Sequence, residues 1–308
     1  MMVIYELNAW ANYLLPIIVP DATRISAIVG ESADEVVSRM PAGPATFAFQ
    51  INLTHSGKCP LDRAKLVDRL TASGVGTINA GVIDISKRAV HRACVEAGLP
   101  NASAPRDGND EELLFVKTEY NHHATGERRL TERERGLIGV ARLPQGLLEK
   151  KKFLYACVPR GKLPDSVWQS PHLVVERYIS NSEHHFYRAN VAANHIAVSR
   201  VVDPAILKKM PTGIPREICF FGSEQDLLPA DRPSSDMVEA AEIARRFCSA
   251  ARMDFGALDI VRDESGALTI VDANPTPYWG NDADHPELLA YLARGLAPGP
   301  HNSGTFPG

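Results

Sequence analysis

The sequence has no Cys-x-x-Cys pair. Its five cysteines (Cys59, Cys94, Cys157, Cys219 and Cys248) are scattered and odd in number. That excludes a cysteine zinc site and reads as free thiols in a reducing compartment. No apolar run is long enough to cross a bilayer, and no Lys or Arg precedes Arg24, so the basic start of a secretory leader is missing. Charge of one sign is missing too: a formal net charge of -4 gives no reason for wholesale attraction to nucleic acid or membrane. Internal repeats and long low-complexity tracts are absent. What remains is an ordinary globular chain, expected in the cytoplasm, with neither nucleic acid nor membrane as a partner. Its 308 residues, 44% of them hydrophobic, suffice for two or three compact lobes.

Residues 3–7 and 25–29 read as strands among prolines that break the rest into short pieces. From there the pattern sharpens. A strand over 46–53, a helix over 63–72 with Asp62 as its N-cap, and a short strand over 77–79 make a βαβ unit, which belongs to a parallel sheet. Ser86 caps a helix over 87–97 that Gly98 stops. Lys87, in its first turn, works against the helix dipole. It is either a solvated lysine or one placed there to meet an anion.

Residues 113–117 (LLFVK) form an apolar strand closed by Lys117, and a polar loop through His122, His123 and Gly126 follows. A lysine there can meet a phosphate as a point charge, or simply leave an edge strand. The two histidines read as solvated loop residues, since no third metal ligand stands at a sensible spacing. Residues 131–152 are charged and partly helical. A strand over 173–175 runs into Glu176, Arg177, Tyr178 and Ile179, with Glu183 seven residues past Glu176. Chain leaving a strand offers free backbone groups, which an adenine edge needs, and a carboxylate can accept both ribose hydroxyls. Strands over 186–192 and 195–202 carry Arg188 and Arg200. An amphipathic helix over 235–251 follows, with an acidic cap from Asp236 and Glu239.

Residues 255–280 are the sharpest stretch. Two apolar strands, 255–261 and 268–273, flank a polar turn with Gly266. Asp259 lies in the first and Asp272 at the end of the second. Asn274, two residues on, shares a face with Asp272. Carboxylates in apolar strands are costly unless a cation meets them. Three such oxygen donors suit a hard cation such as Mg²⁺ that also holds phosphates; the alternative is a surface hairpin with its acids in water.

The pattern of Asp259 followed by Asp272-Ala-Asn-Pro resembles the metal-binding hairpin of the ATP-grasp superfamily. Lys87, Lys117 and the 176–183 segment resemble that superfamily's phosphate lysines and adenine–ribose hinge, in the same order. The nearest branches look like the D-alanine–D-alanine ligase, glutathione synthetase and ribosomal-protein glutamate ligase group. The resemblance covers roughly residues 80–290. It implies an α/β N-terminal domain (1–85) plus two α+β lobes of an ATP-grasp fold (86–175 and 176–297) with ATP clamped between them, and a loose tail (298–308). It further implies Mg²⁺ on Asp259, Asp272 and Asn274, and ATP on Lys87, Lys117, Glu176, Tyr178, Ile179 and Glu183. Arg200, better placed than Arg188, and Lys117 would act in catalysis. The implied reaction is ATP-dependent ligation of a carboxylate to an amine, both small molecules or one a peptide, through an acyl phosphate. Dimers are common in this family, so a homodimer belongs to the expectation. An ATP-grasp kinase acting on a hydroxyl and a non-catalytic ATP-binding module are the rivals. Two positions depart from the pattern. Dipeptide-type ligases carry an arginine where this chain has Ala257, and Pro277-Tyr278-Trp279-Gly280 replaces a small turn, with Tyr278 and Trp279 as acceptor-pocket or interface aromatics.

Overall fold

The computed structural model describes residues 1–7, 12–140, 143–144, 155–204, 217–222, 234–279 and 285–297. The basic run at 149–152, Gly280 and the segment 298–308 lie outside them.

Three sheets organise the described residues. The first is parallel, in the order β2-β1-β3-β4, from β1 (Met2–Leu7), β2 (Thr23–Ser26), β3 (Thr46–Ile51) and β4 (Gly76–Ile78). The helix Arg63–Ala72 crosses over between β3 and β4, as the βαβ spacing requires. Asp62 precedes that helix but does not cap it with its side chain; its Oδ1 instead accepts from the Ala33 N–H at 2.6 Å. The second sheet is antiparallel, in the order β6-β5-β7, from β5 (Leu113–Thr118), β6 (Ala156–Pro159) and β7 (Leu173–Arg177). The third, also antiparallel, runs β10-β9-β8-β11-β12, from β8 (His185–Ala192), β9 (His195–Val202), β10 (Glu217–Phe221), β11 (Phe255–Arg262) and β12 (Leu268–Asn274).

Side chains alternate along each strand, so the third sheet has two distinct faces. Tyr187, Ala189, Val191, Ile196, Val198, Leu258 and Ile260 pack under the helix Ser235–Ala251, through Met237, Ala240, Ile243, Ala244 and Phe247. Ser234, not an acidic residue, caps this helix; Asp236 turns aside to accept from Tyr187 Oη and Arg262 Nη1. The opposite face is split. Ala192, Ala197 and Phe255 join Ile4 and Ala48 of the first sheet and the helix Pro286–Gly295 in a shared core. The remainder of that face lines the site described below.

Asn79, at φ 57°, fastens the end of β4 to the start of β11. Its Oδ1 accepts from the Asp254 and Phe255 N–H groups at 2.9 and 3.0 Å, and its own N–H donates to Asp254 Oδ2 at 2.7 Å. Burial pushes the Asp254 carboxyl up to about 6. An unfolded aspartate titrates near pH ~3.9. Between that value and about 6 the folded chain therefore holds an extra proton, and stability falls as pH rises through this window. Asp254→Asn keeps an oxygen for Asn79 and removes the buried charge. The variant should gain on the parent in Tm across that window, and a Tm difference that stays constant with pH would refute the assignment.

Candidate functional site

The hairpin positions the first acids. β11 and β12 pair with Asp259 opposite Asp272 and Ala257 opposite Asn274, around a turn held by Asp263 Oδ1 and by Gly266 at φ +90°. Like charges directly opposite each other in a ladder repel, and cations relieve them here. Arg188 Nη1 on β8 donates to Asp259 Oδ1 at 2.8 Å, and Lys87 Nζ donates to Asp272 Oδ1. The register shifts after Asp259, leaving Val271 as an extra residue on β12. The Val271 carbonyl accepts from Lys117 Nζ at 2.7 Å.

Lys117 also meets Glu176 at 2.7 Å, and the other Glu176 oxygen lies 2.8 Å from His91 Nε2. Lys87, Lys117 and Glu176 are all buried. Burial pushes the Glu176 carboxyl up, but Lys117 and His91 outweigh it and hold it below its usual value. Burial acts on Asp272 in the same way and is overcome by Lys87 and then Lys117, whereas at Asp259 burial wins over Arg188 and the carboxyl stays raised. For Lys87, burial lowers the ammonium and Asp272 more than restores it. Its unfavourable place in the first turn is offset by Glu119, which follows β5. The Lys87 N–H donates to the Glu119 carbonyl at 3.1 Å, and the Arg88 N–H donates to the Glu119 carboxylate at 3.2 Å. Ser86 caps the helix as its sequence predicts.

Lys87, Lys117, Glu176, Asp259 and Asp272 are thus brought together. Asn274 sits beside them, its Oδ1 accepting from the Thr276 N–H and hydroxyl at 2.9 and 3.2 Å. Arg200 is not brought in. It pairs in register with Tyr187, one residue out of phase with Arg188, and so lies on the helix-covered face. There burial, with Arg200 next, holds the His185 imidazole below its ordinary value. Glu183 is exposed and meets His185 Nδ1 at 3.1 Å, away from Glu176. β7 runs on through Arg177, so Glu176 sits inside a strand opposite Phe115. The Tyr178 N–H is given to the Leu113 carbonyl at 3.0 Å, and Ile179 packs against Phe186, Val201 and Val261.

Three residues escaped the sequence reading. His91 stands four positions after Lys87, which puts both on one helix face; that spacing was the available signal. Tyr155 carries no local signal. Its hydroxyl is pushed up to about 12 by burial and then by Asp272, which places it at the cluster, and its ring stacks on Phe115 with centroids 5.5 Å apart. His123, expected in solvent, packs edge-on against Tyr155 at 4.7 Å. It belongs to a run of three left-handed residues, His122, His123 and Ala124, which no glycine announces.

Two aspartates facing each other, with the Asn274 amide oxygen beside them, match the oxygen-ligand chemistry of a hard divalent cation. Among the described residues no group of three or more His, Cys, Asp or Glu side chains gathers closely enough to hold a metal unaided.

No protein-family model matches the chain, and no curated protein matches its sequence. Solved structures do match its shape. The ATP-grasp ligase PsnB, solved with a phosphomimetic variant of its minimal precursor, Mg and ADP, aligns over 95% of this chain and 97% of its own, with TM-score 0.50 and 10% identity. A RimK-domain ATP-grasp protein from Sphaerobacter thermophilus aligns over 96% and 99%, with TM-score 0.49 and 11% identity. The VanG D-Ala:D-Ser ligase from Enterococcus faecalis aligns over 96% and 97%, with TM-score 0.48 and 9% identity. At 10% identity the likeness to PsnB is one of architecture alone, and that shared architecture is the ATP-grasp fold.

Proposed function

We propose that this protein is an ATP-dependent carboxylate–amine ligase that forms an amide through an acyl phosphate. The observation that carries the reading is the ladder register setting Asp259 against Asp272, with Lys87, Lys117 and Arg188 converging on the same cluster. ATP would lie between the second and third sheets. The chain would divide into an N-terminal domain over 1–85 and lobes over 86–175 and 176–297.

Asp259 and Asp272, with Asn274 beside them, would hold Mg²⁺, whose bound charge neutralises phosphate oxygens and orients the γ-phosphate. Lys87 and Lys117 are paired with carboxylates in the chain as described, and phosphates would give them a second anion to meet. Arg188, which shares the aspartate face, would take the catalytic part that the resemblance implies for Arg200. Glu176 anchors Lys117. With the Tyr178 N–H engaged, the backbone contact to adenine falls to Ile179, and Glu183 would turn to the ribose. The carboxylate attacks the γ-phosphate and ADP leaves; the amine then attacks the acyl phosphate and phosphate leaves.

The test is release of ADP and phosphate from Mg·ATP across a panel of amino acids and dipeptides, with mass detection of products. Release requiring both an acid and an amine, together with a new amide mass, is expected. A phosphorylated hydroxyl product would make the protein a kinase. ATP binding with no release from any pair would make it a non-catalytic module.

A further inference from the structure

Beside the aspartate row runs a second row of side chains on the same face of the third sheet. The first row, read across the strands from β9 to β12, is Ser199, Arg188, Asp259 and Asp272. The second, two residues along each strand, is Ala197, Asn190, Ala257 and Asn274. The two rows are about 7 Å apart along the strands. Asn190 is only 1% exposed, and its Nδ2 has no hydrogen-bond partner among the described residues. Its neighbours in the row are two alanines, which offer nothing to accept from it. The next oxygen along, Asn274 Oδ1, is committed to Thr276. Ser199 Oγ, fully buried in the neighbouring row beside Arg188, likewise has no partner among the described residues.

Buried donors without partners are rare, and each costs about 1–3 kcal/mol. A strand interior between Ala189 and Val191 would accept an apolar residue at position 190 without that penalty. The amide is therefore better explained by a group that arrives with substrate. The expected arginine is absent at Ala257, whose methyl group adds neither donor nor acceptor beside the buried Asn190 amide.

We propose that Asn190 is a catalytic residue: its Nδ2 donates to the oxyanion that forms when the amine attacks the acyl phosphate. This rests on the ligase reading above. In that step the amine lone pair forms the new C–N bond, and the carbonyl π pair moves onto oxygen, where Asn190 meets it. The oxyanion then collapses, the bond from carbon to the phosphate oxygen breaks, and the departing phosphate carries off the proton lost by the amine. A neutral, preorganised amide suits this task because it favours charge that exists only near the transition state.

The experiment compares the full-length protein with Asn190→Leu, which has similar volume and no donor, and with Asn190→Ala as a second variant should the leucine not fold. Two rates are read with the acid and amine identified by the panel. One is positional isotope exchange within ¹⁸O-labelled ATP in the presence of the acid, which reports reversible acyl-phosphate formation. The other is amide formation. The expected result is retained isotope exchange, amide formation slowed about a hundredfold with KM for the acid unchanged, and a Tm no lower than the parent's. Wild-type amide formation in the variants would overturn the role of Asn190 and leave the ligase reading intact. Loss of exchange and amide formation together would also overturn it, assigning Asn190 to nucleotide binding or to the fold. A parent protein with neither exchange nor amide from any pair would sink the ligase reading, and this inference with it.

Discussion

Asp272→Ala is expected to abolish Mg·ATP turnover while the chain still folds. The Asp272 side chain is 40% exposed and β12 is an edge strand, so the truncation leaves no closed cavity. Its loss removes one of the two facing carboxylates and releases Lys87, whose side chain is only 5% exposed. That lysine retains Glu176 as a nearby anion, which limits the damage to the fold. ADP release measured beside a thermal melt separates the two effects. Unchanged turnover in a folded variant would remove Asp272 from the site.

Glu176→Gln should have the largest effect on stability. The Lys117–Glu176 pair is almost wholly enclosed, with side-chain exposures of 5% and 4%. Removing one partner of such a pair leaves a buried charge uncompensated, at about 3–5 kcal/mol. Urea unfolding should show this as a lowered midpoint. The pH dependence has a definite sign. Lys117 and His91 hold the Glu176 carboxyl below its usual value despite burial. Its stabilisation is therefore complete above the ordinary glutamate range and is lost as pH falls through the lowered value. The gap between parent and variant should close in acid; a gap that widens there would overturn the pairing as described.

Local pattern carried much of this. The helix Ser235–Ala251 was legible to the residue because its apolar period is unbroken. The hairpin was legible because two acids stand out in an apolar background. What escaped depends on register and on long-range packing. The resemblance ranks Arg200 above Arg188, and only the pairing of Tyr187 with Arg200 reveals that the two face opposite ways. The extra residue at Val271 has no sequence mark, yet its carbonyl fixes Lys117. Tyr155 stands just before β6, and no spacing near it hints at Lys87 or Asp272.

The core that joins Ile4, Leu14 and Ala48 to Leu288, Tyr291 and Leu292 sets a condition on synthesis. A ribosome adding about 5–20 residues per second takes roughly 15–60 seconds to pass from the first of these to the last. Until the end of that interval the early apolar side chains lack their partners from the helix Pro286–Gly295. Contacts this distant in sequence also slow folding after release. A nascent product stopped before the helix Pro286–Gly295 would thus leave this apolar surface bare and be a client for chaperones.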